Sequence, residues 1–282
     1  MAWTVVRSAL GLATAACGLL AAGLAPAQAQ SQGRLDARYS VTLGGVPIGK
    51  GAWVIDISDN QFTAAASGAT TGLLRVLSTG QGSGASRGYI ISGNPVPASF
   101  AASITTDKKT EEIRMTLGSG DVKEVSVTPE VPPDADRIPV TEAHRRGVYD
   151  PMTASMLRVP GNADPLSPEA CHTGAAVFDG RMRYDLKLDF KRMETVRAEK
   201  GYQGPAVVCA VYFLPVAGYI PDRPVIKYLA AQRGIEITFA PVAGTRILVP
   251  FRMRVPTPLG TAMLEATQFV TQATPPHVAK TQ

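Results

Sequence analysis

RMRYDLKLDF, residues 181–190, alternates without a fault. Arg181, Arg183, Asp185, Lys187 and Asp189 hold the odd positions, and Met182, Tyr184, Leu186, Leu188 and Phe190 hold the even ones. Successive side chains of a strand point to opposite faces, so a strict period of two predicts a half-buried antiparallel strand with all its charges in solvent. The segment just before it, ACHTGAAVFDG, adds a cysteine, a histidine and another carboxylate. The alternation accounts for the downstream charges without any catalysis.

The next apolar run, PAVVCAVYFLP at 205–215, has no polar face. Such a strand must be covered twice, for instance by the sheet interior on one side and a helix on the other. A helix candidate follows at 222–234, with Pro224 in the first turn and Gly234 at the stop. Strands then close the chain: GIEITFAP, TRILVPFRMRVPT and GTAMLEATQFV. In the second of these, Arg252 and Arg254 alternate with Phe251, Met253 and Val255, which reads as a solvated face rather than an anion site. Pro215, Pro241, Pro250 and Pro256 are expected at strand ends or edges, where a missing N–H is tolerated.

Toward the N-terminus the pattern is the same. RLDARYSVTLGGVPIGKGAWVIDIS gives strands at 35–43 and 46–57 joined by a turn at Gly44 and Gly45. Short apolar runs broken by glycine continue as a meander, with Leu73, Leu74, Val76 and Leu77 as its densest apolar knot. Three further strands follow, in the last of which Val122, Val125 and Val127 alternate imperfectly and leave the register open. TPEVPPDADRIPV, residues 128–140, is the strongest break, and reads as a long crossing connection within one fold. In VYDPMTASMLRVPG, Asp150 is placed to cap a short helix that starts with Pro151 and ends by Pro160, with Met152 and Met156 on one face. The expected fold is therefore mainly β: one large, strongly curved antiparallel sheet or open, incomplete β-barrel with two short helices.

Residues 1–29 contain one charge, Arg7, then an uncharged Ala- and Gly-rich run ending in Ala27-Gln28-Ala29. This is the pattern of a signal peptide cleaved after Ala29, with an uncleaved anchor as the alternative. The expected organisation is a signal peptide at 1–29, a single β-rich domain at 30–272 and a disordered tail at 273–282, with the protein in the periplasm. Two cysteines remain after such processing, Cys171 and Cys209, and an oxidising compartment favours their pairing as a disulfide.

Chemistry is sparse. His144, His172 and His277 are the three histidines. An oxidised Cys171 offers His172 no thiolate to activate. There is no H-x-x-x-H, no C-x-x-C and no carboxylate cluster at ligand spacing. Gly80-Gln81-Gly82-Ser83-Gly84 lacks the strand-to-helix setting of a nucleophile elbow. No catalytic residue, metal or cofactor is expected. The net charge of +5 comes from interspersed residues, so nucleic acid is not an expected partner.

The segments YSVTLGGVPIGKG, VYDPMTASMLR, CHTGAAVFDGRMRYDLKLDFKR, GYQGPAVVCAVYFLPVAGY and FAPVAGTRILVPFRMRVPTPLGTAMLEA together resemble an envelope-associated bacterial family of unknown function, DUF 3108. The resemblance spans about residues 35–270. It implies a secreted β-rich domain similar in architecture to the open, curved sheets of periplasmic lipoprotein carriers, and it supplies no catalytic residues. The function expected is binding of a lipid acyl chain or a lipidated partner in an apolar groove, with Leu73, Leu74, Leu77, Met152 and Met156 as candidate lining. A structural protein supporting the envelope by contacting a partner protein is the alternative. A hydrolase of envelope polymers comes third, and would need His144, Glu142 and Asp150 together in one pocket.

Overall fold

The computed structural model describes residues 32–71, 79–107 and 109–274. Leu73, Leu74 and Leu77 lie outside the described residues, as do residues 1–31 and 275–282. Within them the chain forms strands β1 (Gly33–Leu43), β2 (Val46–Ile57), β3 (Gln61–Thr70), β4 (Gly80–Ile91), β5 (Asn94–Thr106), β6 (Thr110–Gly118) and β7 (Asp121–Thr128). These are followed by helix α1 (Pro151–Ala154), β8 (Leu157–Arg158), β9 (Gly174–Phe178), β10 (Arg183–Arg197), β11 (Lys200–Gly201) and β12 (Gln203–Ala217). Helix α2 (Pro224–Ala231) leads to β13 (Glu236–Pro241), β14 (Ile247–Thr257) and β15 (Gly260–Ala273).

All the strands belong to one sheet, ordered β7-β6-β5-β4-β3-β2-β1-β15-β14-β13-β12-β10-β9, with β11 attached to β15 and β8 to β14. Neighbours along this path are antiparallel. The first and last strands meet in the middle of the order, with Gly33 opposite Ala273. The sheet is therefore two local meanders stitched together by the chain's two ends. Strand β15 reaches Ala273, and Thr274 N–H donates to Gln32 O, so the described part of the segment expected as a tail is ordered pairing.

No ladder closes β7 onto β9. The sheet curls until the two edges share a seam packed by side chains. Val148 N–H donates to Gly120 O in the β6–β7 turn, and Tyr149 exchanges backbone bonds with Ala176 and Phe178 on β9. Arg181 reaches Glu111 of β6 and Pro129 O beyond β7. Phe100, Met115, Leu117, Val122, Val148 and Phe178 fill the space behind this seam. The 128–140 segment crosses as expected, tied near its end by paired backbone bonds between Ile138 and Gly218–Tyr219.

Local departures have local causes. Lys123 is squeezed out of the β6–β7 ladder by a register shift that puts Leu117 opposite Val122 and Thr116 opposite Glu124, which explains the broken alternation of the valines. Pro250 does not sit at a strand end: it lies inside β14, opposite Phe239 at another register shift. Tyr39 Oη donates to its carbonyl at 2.8 Å, so the irregular point is held from β1. Arg252 is not simply solvated, since it bridges Glu194 and Glu265. Along β10 the alternating charges pair with same-face neighbours, Arg183 with Asp185 and Lys187 with Asp189.

The run read as apolar on both faces is buried on both at Ala206–Val207–Val208–Cys209. Ala206 joins the largest core cluster, built on Leu35, Ile55, Phe62, Phe251 and Phe269. Val207, Cys209 and Val211 join a second cluster, against which Leu229 of α2 packs. Cys171 and Cys209 form the disulfide, with Cα atoms 5.5 Å apart.

Candidate functional site

Register across β2 to β6 sets the side chains of one face in rows. Ile55, Ala64, Ser86, Phe100 and Met115 form one row, and Trp53, Ala66, Gly84, Ala102 and Ile113 the next. Gly51, Gly68, Gly82, Ile104 and Glu111 form the third. On β2, β3 and β4 the third row is glycine throughout, so there the packed core gives way to a bare floor. At Gly68 and Gly82 a Cβ would meet nothing closer than 3.5 Å, and neither residue has a positive φ. Backbone geometry does not call for glycine there, and glycine weakens a strand. What glycine preserves at these positions is open space above the sheet.

Helix α1 stands on this face and divides it. Asp150 is fully buried and caps the helix: Oδ1 accepts from Met152 N–H at 2.9 Å and Thr153 N–H at 3.0 Å. Oδ2 accepts from Thr153 Oγ1 at 2.5 Å and from Ser86 Oγ of β4 at 3.0 Å, and the two hydroxyls lie 2.9 Å apart. Burial raises the Asp150 pKa, and these four bonds only partly offset it. The cap expected at Asp150 is thus also the anchor that fixes the helix to the sheet.

The helix is shorter than its sequence suggests. It ends at Ala154, because Ser155 Oγ turns back onto Pro151 O and the chain runs on into β8. Met156 thus lies beyond the helix, though it and Met152 pack with the same core cluster. Met152 reaches Gly84, where its Cε would lie 3.2 Å from a Cβ, and lines an open cavity of 310 Å³ with Trp53, Ala66, Phe100, Pro151 and Ser155. Met156 lines a separate chamber of 160 Å³ on the other side of Ser155, among Tyr149, Leu186, Leu188, Ile237 and Phe239. Arg158 is the charged residue of that second lining.

Trp53 is the residue that sequence reasoning missed. It is 8% exposed, and its indole Nε1 is buried without a hydrogen-bond partner. A buried donor left unpaired is uncommon and destabilising. The signal for the site lay in Gly80-x-Gly82-x-Gly84, which at period two strips three successive side chains from one face of a strand.

The residues named for the third function have other partners. Glu142 is engaged by Arg145, His144 Nδ1 meets Thr141, and Asp150 is consumed in capping. Among the described residues no group of three His, Cys, Asp or Glu could hold a metal ion.

Fold and site together define an open, single-sheet β protein with an apolar cavity divided by a short internal helix. The chain belongs to the family described as protein of unknown function DUF3108, which matches residues 38–267. No curated protein matches it. Among solved structures it is similar to a beta-barrel-like protein of the domain of unknown function DUF1849 from Brucella abortus, with TM-score 0.42 and 11% identity, covering 87% of this chain and 99% of that one.

Proposed function

We propose that this is a non-catalytic periplasmic protein that holds an apolar chain, such as a lipid acyl group or that of a lipidated partner, in the cavity between α1 and β2–β5. The observation that carries the reading is the floor beside Trp53, where glycines that the backbone does not require keep the sheet bare. At 310 Å³ the cavity is at the small end of the range for ligand sites, and Trp53, Ala66, Gly84, Phe100 and Met152 line it. The Cys171–Cys209 disulfide fits an oxidising compartment.

Trp53 supplies the assay, because the other tryptophan, Trp3, lies in the segment expected to be removed. Titrating residues 30–282 with palmitate should shift the Trp53 emission saturably. Filling the floor by Gly68→Leu and Gly82→Leu should weaken binding by about tenfold or more, a loss of the size expected when a contact surface is blocked. Lipid extraction and mass spectrometry of the protein purified from its host should recover an acyl species. A lipid-free extract together with an unresponsive Trp53 would refute the assignment.

A further inference from the structure

The hairpins β1–β2 and β14–β15 lie side by side in the sheet and end together, with Gly44 N–H donating to Thr261 O and the Gly260 and Gly44 backbones in contact. The β2 ladder to β3 ends at Gly49, with one further bond from Thr71 N–H to Ile48 O, and the β14 ladder to β13 ends at Arg254, so the strand ends beyond these points pair chiefly with one another. This tongue carries no charge from Val41 to Gly49 or from Val255 to Leu264. At its apex Leu259 is 80% exposed and Val46 51% exposed. Its nearest cations, Lys50 and Arg254, are exposed and make no ion pair among the described residues.

We infer that the tongue is a membrane-contact element that seats Leu259 and Val46 in the interface of an anionic bilayer. Two features favour a lipid surface over a protein. Lys50 and Arg254 stand one step behind the apolar tip, where they meet headgroup phosphates as the tip enters. Two hairpin turns also offer far less than the roughly 800 Å² per partner of a stable protein interface. The tongue is at the end of the sheet toward which the glycine row opens, since Gly51 lies between Trp53 and the β1–β2 turn. The inference does not depend on the cavity being occupied.

The test is co-sedimentation of residues 30–282, which keep every described strand and all three core clusters, with phosphatidylcholine vesicles with and without phosphatidylglycerol. Wild type should bind the anionic vesicles, and V46D with L259D should lower partitioning by about tenfold or more, because two apolar contacts are replaced by charges. K50E with R254E should weaken binding and flatten its salt dependence. Both pairs of substitutions are at exposed positions, so circular dichroism should be unchanged, and the Trp53 response to palmitate should persist in each. Wild type that ignores anionic vesicles, or a V46D/L259D protein that binds as wild type does, overturns the inference. Self-association lost in V46D/L259D without vesicle binding overturns it in favour of a second copy of the chain as occupant. A lost palmitate response with intact vesicle binding would instead count against the cavity alone.

Discussion

Asp150→Ala removes the anchor of α1, and its effect can be worked out bond by bond. The N-cap is worth about 1 kcal/mol, within a range of about 0.5–2. Oδ2 is the shared acceptor of Ser86 and Thr153, and without it their hydroxyls retain only each other, leaving one buried proton unsatisfied at about 1–3 kcal/mol. The expected loss is about 3 kcal/mol. Asp150→Asn is milder, at about 1 kcal/mol, since its carbonyl still accepts both backbone N–H groups while its amide donates to hydroxyls that turn round to accept. The pH dependence gives a second test. Burial holds the folded carboxyl above its ordinary value, so between the unfolded pKa near 4 and the raised folded pKa the native state binds more protons than the unfolded one. The Asp150 contribution is fully present below that window and declines as pH rises through it. Urea unfolding across pH, followed by circular dichroism, should show wild type losing ground to Asp150→Asn as pH climbs. An Asp150→Ala protein within about 1 kcal/mol of wild type, or a difference that grows with pH, would refute the role assigned to the carboxylate.

Two further outcomes are expected. Reducing the Cys171–Cys209 bond, which spans a sequence separation of 38, should lower stability by about 4 kcal/mol on the chain-entropy account, measured as the urea midpoint with and without reductant. Tyr39→Phe should lose about 1 kcal/mol by leaving Pro250 O unpaired, and its unfolding should show the β1–β14 contact weakened without loss of the sheet.

Strands, turns and the cap were readable because each is encoded locally. The β1–β2 hairpin at 35–57 and the charged face of β10 follow from period two alone. Neighbour relations across the sheet were not readable, because backbone ladders pair N–H with C=O whatever the side chains are. Nothing in residues 33–43 names residues 262–273 as their partner. The bare floor was missed for the same reason: Gly51, Gly68 and Gly82 belong to three different strands and become a row only once register is known. The helix length was not readable, because Ser155 folds its hydroxyl onto Pro151 O and the chain leaves the helix after Ala154.

The pairing of Gly33 with Ala273 has a consequence for biosynthesis. Of the described strands, the first made waits for the last made, and the ladder they complete is central to the sheet rather than at its margin. Each meander can form its hairpins from local pairings, but the two cannot be joined until β15 has been made, so the joining step has high contact order and is slow beside hairpin formation.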